Sequence, residues 1–302
     1  MIEELGFDSQ DRVVVVHVDD VGMCDAANAG AWRALADAAT CGSVMVPCPA
    51  FPAVAARVRE HPELDLGVHL TLCCEYPDFR FGPVAKGVSS LRAADGGLWR
   101  DNASVVDNAR PEHVETELRA QIETALEAGI DVTHVDAHMG TVFELAFVHL
   151  YVDLAREFEL PMFIPRIDRA LLTASGMSEQ IPDRFVRYIE IIESAEAAGF
   201  PIFDHFSNDS LHFAPGTAAA HNRARVDAFG PGISYLITHC ALGNDELRAI
   251  APDWQCRHEE HEIYSDGTMR DHFAATGVRT IGMRPLRDWM RARSAPRGAH
   301  AQ

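Results

Sequence analysis

The chain has 302 residues, 47% hydrophobic and 24% charged, the balance of a folded soluble protein rather than a disordered one. Its formal net charge of −19, from 45 acidic against 26 basic residues, repels phosphate backbones and anionic lipids and argues against nucleic acid as a partner. Seven cysteines without a CxxC pair argue against a disulfide framework or a zinc ribbon, and Cys73 and Cys74 read as buried or spare thiols. The amino terminus has no apolar leader core and no run approaches the ~18 apolar residues of a membrane span, so no membrane association and a reducing, cytoplasmic setting are expected.

Along the chain, the first strand is expected at 13–18, VVVVHV, and it runs directly into Asp19 and Asp20. Two adjacent carboxylates repel each other and tend to need a cation, a proton or open water. The pair therefore reads as a solvated strand end or as part of a metal site. An alanine-rich helical pattern at 25–39 follows, then strands at 43–46 and 66–72. Residues 74–110 break the rhythm with Pro, Gly and Ser and read as a loop insertion long enough to cover an active site. A helical pattern at 111–128 opens on Pro111 and Glu112, and a strand at 132–136 and a helical pattern at 143–158 come next. Further strands are expected at 161–164, 201–205, 233–238 and 278–281, and the tail from 294 to 302 is expected to be disordered.

Short apolar runs alternating with helical patterns are the signature of a parallel α/β sheet. Seven or eight strands suit a single (β/α) barrel over 1–293, distorted or incompletely closed, with a doubly wound open sheet as the alternative. In a parallel barrel the reactive groups come from the C-terminal strand ends, which surround one mouth. Here Asp19 and Asp20 close the first strand, His69 sits late in the third, and His134, Asp136 and His138 close the fourth. Asp204 and His205 close the sixth, and His239 follows the seventh. Each has a plainer reading: His69 as a core histidine bonded to a carbonyl, His17 as a structural residue in mid-strand, His205 as pocket wall. Strand alternation sends His134, Asp136 and His138 to one face, with His134 deepest and placed to orient the others. One carboxylate and two imidazoles together match a hydrolytic divalent-metal site with positions left for water and substrate.

The order VDDVG, Gly42-Ser43-Val44-Met45, GVHLTL, THVDAH, THCALG resembles the YdjC/ChbG family of carbohydrate deacetylases, collinearly from about residue 12 to about residue 290. The closing stretch ATGVRTIGMRPLRD is also similar to the family's last strand and arginine-containing turn. The resemblance implies a (β/α) barrel and metal-dependent removal of acetyl groups from N-acetylated sugars such as chitooligosaccharides. It implies Asp20, His69 and His138 as ligands of one divalent ion, Mg or Zn with Mn, Co or Ni open, Asp19 as general base and His239 as general acid. An acetylated mono- or oligosaccharide is the expected substrate, and a homodimer is an admissible assembly. The chain departs from the family's N-A-D-D-F-G at His17, Val18 and Val21, and His138-Met139-Gly140-Thr141 replaces a histidine-rich continuation. Those departures leave the sugar open. Two other classes stay in view, a barrel hydrolase of amidohydrolase or phosphoesterase type and a non-catalytic sugar-binding relative.

Overall fold

The computed structural model describes residues 1–167 and 183–294. Among them seven strands form one sheet: β1 (Arg12–Val21), β2 (Cys41–Val44), β3 (Leu66–Leu70), β4 (Val135–Ala137), β5 (His205–Ser207), β6 (Gly232–Thr238) and β7 (Arg279–Thr280). Their order is β4-β3-β2-β1-β6-β5, and every pair is parallel. On the β1 edge facing β2, β7 pairs with Val13 and Val14 and β2 with His17 and Val18, so the long first strand serves two neighbours in succession.

The outer strands β4 and β5 are joined through residues 161–166. The Val135 amide donates to the Pro161 carbonyl at 2.9 Å, Phe163 returns a bond to Val135 at 2.9 Å, and Arg166 donates to the Phe203 carbonyl at 2.8 Å. Among the described residues the arrangement is that of a parallel α/β sheet curled on itself, consistent with a distorted barrel. The strand expected at 161–164 is instead two isolated bridges, Val135 with Met162 and Pro165 with Phe203. Pro161 and Pro165 bracket this stretch and lack the amide hydrogen that a longer ladder needs. For its neighbours the expected ranges 132–136 and 201–205 slide later, to 135–137 and 205–207.

Valine-rich β1 is buried on both faces, as a strand inside a parallel sheet must be. Val13 and Val15 pack inward with Phe163, Phe203, Ile233, Tyr235 and Leu286, whereas Val14, Val16 and Val18 join the larger core beneath the helices. By alternation His17 and Asp19 continue the inward row, which therefore turns from apolar to polar toward the C-terminal end. Helix Asp25–Leu35 buries Ala26, Ala27, Ala31 and Ala34, small side chains that let it lie close to the sheet. The segment 74–110 is not bare loop: it contains helix Asn102–Asn108 and a short 3-10 turn at Ser89–Leu91, and its Trp99 forms a bridge with Cys73. Cys73 and Cys74 are buried free thiols. Ser294 ends the helix Met283–Ser294, and the rest of the tail expected to be disordered lies outside the described residues. Among the described residues no helix is long and apolar enough to cross a membrane.

Gly30 tests how tightly the first helix is pressed on the loop after β6. A Cβ there would stand 2.5 Å from both the Ala241 Cα and the Cys240 carbonyl oxygen, which are backbone atoms. Alanine is ordinarily about 1 kcal/mol better than glycine inside a helix. Here the sign reverses: Gly30→Ala is predicted to lower the melting temperature by several degrees and to weaken turnover by shifting the segment next to His239. A melting temperature equal to or above wild type contradicts this packing.

Candidate active site

The register of the sheet brings the polar strand ends together. Val18 pairs with Thr238, which sets Asp19 beside His239, and His69 pairs with Asp136 across β3 and β4. Asp19 and Asp20 would face opposite sides of a regular strand. The β1–β2 register shifts between Val18 and Val21, and Asp20 adopts a left-handed φ of 62°, so both carboxylates line the same cavity. That conformation is uncommon outside glycine and costs a non-glycine residue on the order of 1–2 kcal/mol.

The carboxylate of Asp20 is buried and divided between two environments. Its Oδ2 accepts from Arg257 Nη1 at 2.6 Å, and Arg257 is in turn held by Asp253 Oδ1 at 2.8 Å. Its Oδ1 is buried with no hydrogen-bond partner, although His69 Nε2 lies 3.4 Å away and His138 Nδ1 3.3 Å away. Neither contact is aligned as a hydrogen bond, and the three atoms lie within 4.8 Å of one another. The far nitrogen of each ring is anchored by an acid: His69 Nδ1 donates to Asp136 Oδ1 at 2.9 Å, and His138 Nε2 donates to Glu75 Oε2 at 3.0 Å. Ser43 Oγ donates to the other Asp136 oxygen at 2.9 Å. Two carboxylate-anchored imidazoles and one orphaned carboxylate oxygen make a group that could hold a divalent cation, with outer partners already in place.

Electrostatics agree with this reading. Burial works to raise the Asp20 pKa, but Arg257 and the two imidazoles outweigh it and hold the carboxyl well below the usual range. Burial opposes a charge on His69, yet Asp136 and Asp19 push it up to about 10; His138 is raised well above its usual value, Glu75 overcoming its burial. The surrounding carboxylates, Asp136 and Asp19 beside His69 and Glu75 beside His138, thus favour positive charge at the point where a divalent cation would sit. Other groupings of potential ligands are less open. In the His17, Cys41 and His134 set, His17 Nε2 and His134 Nε2 already bond each other at 2.8 Å.

Asp19 Oδ1 is held by His17 Nδ1 at 2.6 Å, which leaves Oδ2 toward the cavity, 3.8 Å from both His69 Nε2 and His239 Nε2. His134 lies beneath His17 and reaches none of the cavity; burial, reinforced by His17, lowers its pKa to about 3 and keeps it neutral. His205 and Asp204 stand apart: His205 bonds the Pro231 carbonyl at 3.2 Å and stacks on Phe229, and Asp204 accepts the Ile233 amide. His205 is therefore neither reactive group nor pocket wall among the described lining, because β5 begins at this residue instead of ending there. A cavity of about 790 Å³ opens over the cluster, lined by Phe143, Phe163, Tyr188 and Phe206 and by Glu75, Tyr76 and Pro77 of the 74–110 segment. Sequence reasoning missed Glu75, Arg257, Ser43, Ser210 and Glu260. Arg257 and Glu260 left one trace, two charges three residues apart on the buried face of helix Trp254–Ile263.

If these three donors hold a cation, His69→Ala removes one of them and frees Asp136 from its partner. Metal content by elemental analysis is expected to fall by more than half while Asp19→Asn keeps full loading. Unchanged stoichiometry in His69→Ala removes His69 from the set.

Comparison with known proteins identifies relatives of this chain. A carbohydrate deacetylase of Thermus thermophilus is 32% identical over 286 residues, 89% of this chain and 92% of its own length. A carbohydrate deacetylase of Geobacillus stearothermophilus is 26% identical over 275 residues, 90% of this chain and 97% of its own. Among solved structures, a protein of Enterococcus faecalis V583, assigned there only provisionally to cellobiose-phosphate cleavage, superposes with a TM-score of 0.72 over 91% of this chain and 99% of its own, and at 19% identity it supports the fold alone. Residues 13–275 match the model of the family described as YdjC-like protein, and the chain belongs to that family.

Proposed function

We propose that this protein is a metal-dependent hydrolase that removes acetyl groups from N-acetylated sugars, acting on a distorted (β/α) barrel formed as one domain over 1–293. The observation that carries the reading is the buried, unpartnered Asp20 Oδ1 between His69 Nε2 and His138 Nδ1, with Asp19 and His239 at the same mouth. The relatives' description as carbohydrate deacetylases supports the choice of substrate class.

A divalent cation held by Asp20, His69 and His138 would polarise the acyl carbonyl and make a nearby water more acidic. Two imidazoles suit zinc and similar transition metals, while the carboxylate also suits magnesium or manganese. Asp19 takes the proton of the attacking water on Oδ2, since Oδ1 is engaged by His17. His239, across the mouth from Asp19, acts from its doubly protonated form: it gives the Nε2 proton to the departing sugar nitrogen and is left as a neutral ring. The aromatic side of the cavity offers flat apolar surfaces to sugar ring faces, and its volume admits more than one ring.

Acetate release from N-acetylglucosamine and chitooligosaccharides, measured with stripped protein reloaded with Zn, Mg, Mn, Co or Ni, tests the proposal. Turnover with at least one metal is expected, and Asp19→Asn should lower it by roughly 100-fold or more. No acetate from any pairing contradicts the function, and near-native turnover in Asp19→Asn contradicts the assigned base.

A further inference from the structure

Behind His239 runs a buried hydrogen-bond chain that the hydrolytic reading does not use. Ser210 Oγ lies 2.9 Å from His239 Nδ1 and donates to Glu260 Oε2 at 2.6 Å. The same Glu260 oxygen accepts the backbone N–H of His239 at 2.7 Å. Neither Ser210 nor Glu260 has any solvent exposure. The second oxygen of Glu260 meets Arg225 Nη1 at 3.3 Å. Arg225 Nη2 donates to the Ser207 and Ile237 carbonyls, at 3.0 and 2.6 Å, and so fixes the carboxylate against the ends of β5 and β6.

The direction of this chain follows from counting hydrogens. Paired with a guanidinium, Glu260 only accepts, so the single hydroxyl hydrogen of Ser210 is committed to it. Ser210 Oγ must then accept from His239, and Nδ1 of the ring carries the hydrogen. In the neutral ring Nε2 is bare, and Nε2 is the nitrogen that faces Asp19 across the mouth. Neutral imidazole in water favours the opposite tautomer, so the protein holds the less common one.

We propose that Ser210, backed by Glu260, is a positioning residue that fixes His239 as its Nδ1–H tautomer, so that every proton the ring exchanges with the reaction passes through Nε2. The tautomer stands on the hydrogen-bond geometry alone, whereas its use in turnover rests on the proposed deacetylation. Ser210 touches no reacting atom. Its effect is transmitted by holding one ring nitrogen and leaving the other free, as outer-shell partners of functional histidines do.

Long-range ¹H–¹⁵N correlation spectra of the full chain, loaded with zinc or magnesium to stay diamagnetic, read the tautomer directly. The His239 signals are identified by their loss in His239→Gln. At a pH where the ring is neutral, wild type is expected to show a protonated Nδ1 and a bare Nε2. Ser210→Ala should populate the Nε2–H form and lower kcat by about 10- to 100-fold, with KM within about twofold and metal content unchanged. Ser210→Thr, which keeps the hydroxyl, should restore the wild-type pattern. A wild-type ring protonated at Nε2 overturns the proposal without recourse to any variant, and so does Ser210→Ala with the wild-type tautomer and kcat. Acetate release is scored separately: an Nδ1–H ring in a wild type that releases no acetate supports the tautomer and contradicts the deacetylase reading instead.

Discussion

Asp19 and Asp20 can work at one mouth only because β1 slips its register beside them, with Asp20 forced to a left-handed φ of 62°. A regular strand would send one carboxylate inward and the other into the helix layer. The slip turns Asp20 toward His69 and His138 while Asp19 stays in the inward row above His17. Strain of this kind persists where surrounding contacts over-determine it. Arg257 supplies such a contact, pinning one Asp20 oxygen and leaving the other bare.

Around that point the charges form a layered arrangement. The two imidazoles flank the bare oxygen of Asp20, and each is backed by its own carboxylate, Asp136 or Glu75. On the opposite side, His239 is backed by Ser210 and Glu260. Burial makes each of these bonds matter more than it would at the surface, because an unpaired group there has no water to turn to. The same inward row that is polar at the mouth is valine at its base, so the rigid apolar packing of Val13 and Val15 with Phe163, Phe203 and Tyr235 supports the polar layer from below.

Much of this was legible from residue order. Four valines before two acids marked β1, and the histidines of GVHLTL, THVDAH and THCALG marked three strand ends that the fold gathers beside it. Short, proline-bracketed pairing at 161–166 was not legible as bridges, since an apolar run looks alike whether it forms one bond or five. Nor was the start of β5 at His205, a shift of a few residues that carries a histidine from a strand's end to its beginning. Glu75 opens an irregular segment with no periodic neighbourhood to announce it, and Arg257, although on a helix, meets Asp20 across 237 positions of sequence. His17 proved to be more than filler, since it fixes which oxygen of Asp19 faces the cavity.

The central claim is that Asp20, His69 and His138 together form a cation site. Anomalous diffraction from crystals of zinc-loaded protein, recorded across the zinc absorption edge, tests it most directly. The account predicts one strong peak at about 2.0–2.2 Å from Asp20 Oδ1, His69 Nε2 and His138 Nδ1. A peak among His17, Cys41 and His134, or no peak beside Asp20 at full zinc loading, would contradict it.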